Sequence, residues 1–250
     1  RNDDNIVAKR GALFMVNLQN EVEALGFTVV HIKTDSIKIA DATPDIVDFV
    51  MAYGKMYGYV FEFESLYDRI CLVNDAVYIA KYASKEDCIE RFGFVPDHNE
   101  KEPGEWTATG KEFMHPYIFK KVFKKEEPTL EDMQEVRSVN GTAIYLDMNE
   151  PNPQDHDRQF VGRIGSFIPV KAGANGGIMV KEMKDKEGNP KYDSVTGSQR
   201  KDKTPYRWLE YETIKEQNLQ NQIDRQYYID LCNSAIEHIE QFGDFYAFIS

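Results

Sequence analysis

Residues 27–39 read Phe-Thr-Val-Val-His-Ile-Lys-Thr-Asp-Ser-Ile-Lys-Ile. The first half of this stretch is apolar and β-branched, and its last residues alternate between apolar and polar side chains, as strands do. The polar residues between the two halves, Lys33–Ser36, are typical of a tight turn. The stretch therefore predicts a β-hairpin with Asp35 at or near its tip.

Helical patterns lie on either side of this hairpin, and a second hairpin follows. Residues 11–26 carry apolar side chains at the spacing of one helix face, and residues 43–58 open with threonine and proline, which is typical of a helix start. Residues 59–61 and 70–82 have strand composition, with a turn at 74–75. The order helix, hairpin, helix, hairpin predicts an α+β fold with helices on one face of antiparallel hairpins.

Beyond residue 83 the sequence predicts a loop that separates two domains. Residues 84–104 are charged and contain prolines, so we expect a first domain over 1–103 and a second over 104–250. The second domain is expected to mix helices and strands, beginning with a compact segment at 106–125. Its other predicted elements are a short helix from Thr129 to about Val136, a loop over 149–158, small strands over 160–205, and helices over 207–217 and 224–242.

The composition limits the class of protein. Of the 250 residues, 42% are hydrophobic, so the chain can bury a core and is not disordered throughout. It has no apolar run of about 20 residues that could span a membrane, and it opens with charged residues where a signal peptide would be apolar. Cys71, Cys88 and Cys232 are odd in number and widely spaced, which fits neither a disulfide framework nor a zinc site and favours a reduced, cytoplasmic setting.

The charge balance is acidic, with 42 acidic and 30 basic side chains and a formal net charge of −12. Nucleic-acid-binding proteins usually present a basic surface, so this balance argues against that class. Binding depends on local charge, however, and the class stays open for that reason. The start at Arg1 instead of Met leads us to expect a piece of a longer protein.

The carboxylate at the predicted hairpin tip is a candidate metal ligand. A tight turn projects its side chains, while the flanking strands fix their position. Phosphoryl transfer with two divalent ions needs two such carboxylates, and Asp35 is the candidate for one of them. The alternative is that Asp35 is present because Thr-Asp-Ser forms a good turn.

Three segments of the chain resemble family B DNA polymerases, and most closely those of tailed bacteriophages. Val30–Ile39 resembles the third palm motif, which is normally an Asp-Thr-Asp-Ser turn between two strands. Asn74–Tyr82 lies where the family has its primer-gripping hairpin. Trp106–Gly110 lies where the palm gives way to the thumb. The resemblance continues, more loosely, to the C-terminus.

The resemblance implies the C-terminal half of a polymerase palm over residues 1–103, followed by a mixed α/β thumb. The implied activity is that of a DNA-directed DNA polymerase, a nucleotidyltransferase that uses two Mg²⁺ ions, and Asp35 is its implied catalytic metal ligand. The family's first palm motif and its fingers motif are absent from the sequence. The implied partners are therefore primer–template DNA, dNTPs and the N-terminal half of the polymerase, in the same or a separate chain. Alone, the chain is expected to be inactive, and if it is phage-encoded it acts in the host cytoplasm.

The sequence departs from the family pattern in both hairpins. Lys33 stands where the palm motif has its first aspartate, and it is either a contact to primer phosphate or a solvated turn lysine. In the second hairpin Asn74 and Asp75 replace the leading lysines, which leaves Tyr78 and Lys81 as the candidate primer contacts. Because Tyr78 lies in an alternating strand, it is alternatively a packed aromatic residue.

Lysines between 106 and 125 are candidate contacts to duplex phosphates. Lys111, Lys120 and Lys121 lie in this segment with a single acid, Glu112, and lysines can neutralise phosphates without reading the base sequence. The alternative is a solvated helix face. A second class of function also stays open, namely a non-catalytic nucleic-acid-binding or interaction subunit with a polymerase-derived fold, in which Asp35 is only a turn residue.

Overall fold

A computed structural model gives the structure of residues 5–148 and 156–250, which form two compact units. The first unit contains the residues up to Phe113 together with His238–Ser250, and the second contains Met114–Glu237. The sequence predicted a boundary at 103/104 between a palm and a thumb, and this assignment of domains stays a prediction. Most of the predicted loop over 149–158 lies outside the described residues.

In the first unit, a hairpin packs on two helices. The elements are α1 (Ile6–Ala24), β1 (Val29–Ile32), β2 (Ile37–Ile39) and α2 (Pro44–Met56). One face of the hairpin presents Ile32, Ile37 and Ile39, which pack against a buried cluster that includes Leu18 of α1 and Ile46 of α2. The predicted helix, hairpin and helix are confirmed, because alternating apolar residues bury one hairpin face and leave the other available.

A three-stranded antiparallel sheet contains the predicted second hairpin. Its strands are β3 (Tyr67–Asn74), β4 (Val77–Tyr82) and β5 (Trp106–Ala108), in that order. The Asn74 side-chain oxygen accepts hydrogen bonds from the backbone N–H groups of Ala76 (2.9 Å) and Val77 (3.1 Å), which fixes the turn. Residues 59–61, which were predicted to form a strand, have no regular secondary structure. The fold class is therefore α+β with antiparallel sheets, as predicted.

The prediction of a loop over 84–104 is wrong for most of its length. This segment forms α3 (Lys85–Phe92) and α4 (Asp97–Lys101). The Ser84 hydroxyl caps α3 by accepting a hydrogen bond from the N–H of Asp87 at 3.0 Å. Both helices are short and mostly charged, so they show little apolar pattern. The prolines and glycines of the segment lie at or near the helix ends. For these reasons the composition of residues 84–104 favoured a loop.

The chain leaves β5 in close contact with the turn of the second hairpin. The Thr109 hydroxyl donates to the backbone oxygen of Ala76 at 2.8 Å and accepts from the N–H of Tyr78 at 3.1 Å. Gly110 follows with φ 84°, and a Cβ at this position would lie 2.7 Å from Val77 Cγ2. Only glycine combines this φ with so close an approach. The segment Trp106–Gly110 is thus joined to the three-stranded sheet, through the pairing of β5 and through the contacts of Thr109 and Gly110 with the hairpin turn.

The second unit is built on a seven-stranded antiparallel sheet in the order β6-β9-β12-β10-β7-β8, with β11 paired to β10. The strands are β6 (Glu135–Ser138), β7 (Ile144–Asp147), β8 (Arg158–Gly162), β9 (Ile164–Val170), β10 (Gly177–Lys184), β11 (Pro190–Ser194) and β12 (Arg207–Glu210). The predicted strands over 160–205 are confirmed. Trp208, Tyr228 and Phe167 are fully buried in the core of this unit.

The second unit also contains helical elements. They are α6 (Pro116–Ile118), a π-helical turn (Phe119–Lys124), 3-10 turns (Glu131–Met133 and Gln220–Gln222), α7 (Tyr211–Glu216) and most of α8 (Arg225–Glu240). The short helix α5 (Lys111–Met114) lies mainly in the first unit. The predicted helix from Thr129 to Val136 is wrong, since only a 3-10 turn forms before β6. The helix predicted over 207–217 begins as β12, and the helix predicted over 224–242 is confirmed as α8.

The last residues of the chain belong to the first unit, where α9 (Phe245–Ile249) lies against the three-stranded sheet β3-β4-β5. Arg69 Nη1 donates to the backbone oxygen of Phe248 at 3.0 Å, and the Phe248 and Trp106 ring centroids are 5.4 Å apart. No helix among the described residues combines the length and the apolar character needed to cross a membrane.

Candidate functional site

Asp35 lies at the tip of the first hairpin. The backbone N–H of Lys33 donates to the oxygen of Ser36 at 2.9 Å and closes a loop whose central residues are Thr34 and Asp35. The Asp35 side chain is exposed. The predicted position of this carboxylate is confirmed, and its role as a metal ligand stays a prediction.

The second hairpin lies directly beside the first. His31 and Lys38 are cross-strand partners on β1 and β2, so their side chains share the hairpin face opposite the helices. His31 Nε2 donates to the backbone oxygen of Asp75 at 3.1 Å, and Lys38 Nζ lies 5.1 Å from the centroid of the Tyr78 ring. The structure therefore brings the Asp35 hairpin and the candidate primer contact Tyr78 together.

Two lysine ammonium groups lie near each other on this hairpin. Burial and then repulsion from Lys33 lower the pKa of Lys38 below its ordinary value, although attraction to the Glu64 carboxylate opposes the shift. Lys33 itself is exposed in the turn.

Lys38 is a candidate residue that the sequence analysis did not identify. The available signal was its place in the alternating stretch Ile37–Ile39, which puts it on the face opposite the partly buried isoleucines. What the alternation does not reveal is the second hairpin on that face, because Tyr78 is 40 positions away along the chain.

Tyr78 is a packed, half-buried aromatic residue. Its ring centroid lies 6.4 Å from that of His31 and 6.4 Å from that of Tyr67. Burial, above all, raises the pKa of Tyr67 and keeps its phenol neutral. Tyr78 thus has a structural role between the two hairpins, and its contact with a primer stays a prediction.

Lys81 and Tyr78 point to opposite faces of β4, since they are three positions apart on a regular strand. Lys81 Nζ lies 5.9 Å from the ring centroid of Trp106, its cross-strand partner on β5. Lys111 is exposed at the start of α5 in the first unit. The contacts between the two hairpins therefore include Tyr78 but involve neither of these lysines.

Lys120 and Lys121 lie in the second unit, and each is paired with a carboxylate. Lys120 Nζ is 2.9 Å from Asp132 Oδ2, and Lys121 Nζ is 2.6 Å from Glu127 Oε1. Asp132 Oδ2 also accepts hydrogen bonds from the N–H (2.7 Å) and hydroxyl (2.8 Å) of Thr129. A DNA phosphate would have to compete with both carboxylates, and more easily at the exposed Lys121.

A complete metal centre is not present among residues 5–148 and 156–250, since no group of three or more His, Cys, Asp or Glu side chains there could hold a metal ion. A carboxylate oxygen is a ligand that Mg²⁺ prefers. The role of Asp35 as one ligand of a metal site shared with residues outside this chain stays a prediction.

The second unit contains a buried ionic cluster that the sequence analysis did not identify. Glu135 receives His115 Nε2 (2.9 Å) and the Tyr227 hydroxyl (2.8 Å) on one oxygen, and Arg137 Nη1 (2.6 Å) on the other. Burial opposes ionisation, but the close contact with His115, the charge of Arg137 and the hydrogen bond from Tyr227 outweigh it and lower the pKa of Glu135 to about 2. The cluster connects β6 to His115, the residue before α6, and to Tyr227 of α8.

Comparison with known proteins identified no relative. The sequence matches no protein-family model, and no significant match was found among curated proteins or solved structures. The functional argument therefore depends on the residues and their geometry.

Proposed function

We propose that this chain is the C-terminal portion of a template-directed DNA polymerase and carries one metal-binding aspartate, Asp35, together with contacts to primer–template DNA. In this proposal the N-terminal half of the polymerase supplies the remaining metal ligands and the dNTP site. The two halves belong to one chain or to two.

The observation that supports this proposal most strongly is the packing of the two hairpins. A hairpin with an exposed carboxylate at its tip lies against a second hairpin through the contacts His31–Asp75 and Lys38–Tyr78. A polymerase needs this arrangement, because metal ions and the primer end must meet within a few ångströms. The resemblance to family B motifs supports the same assignment for both hairpins.

The residues of this chain would act by position and by charge. Bound Mg²⁺ ions would stabilise the negative charge that develops on the phosphates. Asp35 would orient those ions from a turn whose strands are anchored on α1 and α2. Lys33 and Lys38 would attract the sugar–phosphate backbone of the primer, and Tyr78 would keep Lys38 in place through its ring.

Primer extension tests the proposal. The chain is combined with the N-terminal half of the polymerase, and Mg²⁺-dependent extension is measured for the wild type, Asp35→Asn and the control Asp41→Asn. Asp41 is an exposed aspartate with φ 48°, a conformation that asparagine also tolerates. We expect Asp35→Asn to lower the rate by about 100-fold or more, since a metal ligand is lost, and the control to extend normally. Equal rates for Asp35→Asn and wild type would exclude the metal-ligand role.

A non-catalytic DNA-binding subunit is the second candidate function. The presence of Lys33 in the same turn as Asp35 and of Lys38 on the following strand favours it, since lysines can bind phosphate without any metal ion. In that case, Asp35→Asn leaves duplex affinity unchanged or increases it, while Lys38→Gln weakens it. Fluorescence anisotropy with labelled duplex DNA, in the absence of any other protein, measures these affinities. Because Lys38→Gln should weaken binding in both cases, the extension assay with Asp35→Asn distinguishes the two functions.

A further inference from the structure

Helix α1 has apolar side chains on two sides. One side packs against α2 and the first hairpin through the buried residues Phe14, Met15, Leu18 and Val22. The outward side carries an apolar stripe of Ile6, Leu13 and Val16, which are 57%, 62% and 50% exposed. These three positions are seven and three residues apart, which is the spacing of the seam between two packed helices. The stripe is therefore suited to contact with a further helix.

Charged residues divide by sign along the same helix. Lys9 and Arg10 lie in its first half and Glu21 and Glu23 in its second half, and all four are exposed. Residues 11–20 between them carry no charge. A helix with this order of charges is complementary to a second copy of itself that runs in the opposite direction. A parallel copy would instead place like charges together, which is unfavourable.

The apolar stripe and the charges agree on one arrangement. In an antiparallel pair with Leu13 of one helix opposite Val16 of the other, Lys9 and Arg10 lie opposite positions 20 and 19. Glu21 and Glu23 of the second copy are then within about one helical turn, about 5 Å, of these basic residues. Long side chains span that distance, and the two-fold symmetry of such a pair produces each contact twice.

We propose that two copies of this chain associate through α1 as an antiparallel helix pair with two-fold symmetry. The association removes the apolar stripe from water and places the basic half of each helix against the acidic half of the other. A single pair of helices is smaller than the interfaces of about 1,200 to 2,000 Å² that stable complexes bury, so we expect a dissociation constant on the order of 10 µM. This self-association does not depend on the polymerase assignment.

Charge reversal tests the pairing, with sedimentation equilibrium of the full chain as the measurement. Arg10→Glu and Glu21→Lys should each weaken the dimer about tenfold, because two attractive contacts become repulsive. In an equimolar mixture the two variants should form a heterodimer about as stable as the wild-type dimer, since each reversed charge then meets its opposite on the other copy. The heterodimer would also show that both variants are folded.

A second pair of variants tests the apolar stripe. Val16→Asp places a charge in the seam and should weaken the dimer at least tenfold. Ile89→Asp is the control, because Ile89 of α3 is 56% exposed in the same unit and the variant makes the same kind of change; its dimer should match that of the wild type. A wild-type chain that stays monomeric at about 500 µM would overturn the proposal. So would a dimer that none of the α1 variants weakens.

Discussion

Individual charged residues in this protein take their properties from a few specific neighbours. Lys38 has its pKa lowered by burial and by Lys33, whereas Glu135 has its pKa lowered to about 2 although it is buried. The difference lies in the partners: Glu135 is surrounded by donors, while Lys38 faces the ring of Tyr78 and another ammonium group. Burial alone therefore predicts the direction of the pKa shift for Lys38 but the opposite of the observed direction for Glu135.

The Glu135 cluster makes the stability of the second unit depend on pH. The folded-state pKa lies near 2 and the ordinary value is 4.5, so the ionised carboxylate stabilises the fold above pH 4.5, and this contribution is lost as the pH falls toward 2. We expect Glu135→Gln to lower the free energy of unfolding by about 3 kcal/mol at pH 7. The deficit relative to wild type should shrink by about 2 kcal/mol at pH 3.

Urea unfolding at pH 7 and pH 3 measures both numbers. Glu126→Gln is the control, because Glu126 is exposed and the variant makes the same change of charge. A deficit that is the same at the two pH values would show that Glu135 is not selectively stabilised as an anion.

At the scale of secondary-structure elements, α4 depends on one buried side chain. Asn99 is 0% exposed, and its amide accepts a hydrogen bond from the N–H of Leu66 (2.8 Å) and donates to the backbone oxygens of Leu66 (2.8 Å) and Ala83 (3.0 Å). Asn99 thus connects the helix to the start of β3 and to the residue after β4. The element is too short to be stable by itself, so these contacts determine that it forms.

Asn99→Ala should therefore lower the free energy of unfolding by about 3 kcal/mol, because it leaves buried backbone groups without partners. Lys101→Ala in the same helix removes only an exposed ion pair with Asp97 and should leave stability almost unchanged. Chemical denaturation of the two variants gives the comparison. A cost for Asn99→Ala as small as that for Lys101→Ala would mean that α4 is held by other contacts.

At the scale of the whole molecule, the net charge of −12 opposes DNA binding, and any binding must be local. Lys120 and Lys121 are predicted to contact duplex phosphates, and both are paired with carboxylates in the free protein. Binding of DNA would exchange these carboxylates for phosphates. The number of ions released then depends on how many of the two lysines take part.

The double variant Lys120→Ala, Lys121→Ala should weaken duplex binding and reduce the slope of log affinity against log salt by about 1 to 2. The variant Lys184→Ala, Lys186→Ala removes the same charge from two other exposed lysines of the second unit, and its slope should match that of the wild type. Anisotropy titrations over a series of salt concentrations measure the slopes. Identical slopes for the two double variants would remove Lys120 and Lys121 from the DNA interface.

Short-range pattern made much of the first unit predictable. The Asp35 hairpin could be located because apolar alternation and turn-forming residues act over a few positions. The sequence pattern gave the wrong secondary structure where an element depends on residues far away along the chain. Arg207–Glu210 reads as the start of a helix, but it forms β12 because β9 and β10 offer backbone hydrogen bonds on both sides.

The sequence by itself determined that Asp35 lies at an exposed turn, since a hairpin's turn and strand pattern are encoded in adjacent residues. Only the tertiary structure decided what surrounds that hairpin. Tyr78 against Lys38, and Asp75 against His31, bring together residues that are far apart along the chain. Such contacts depend on how buried surfaces fit together. Residue spacing does not encode that fit, and for this reason the candidate site required the structure.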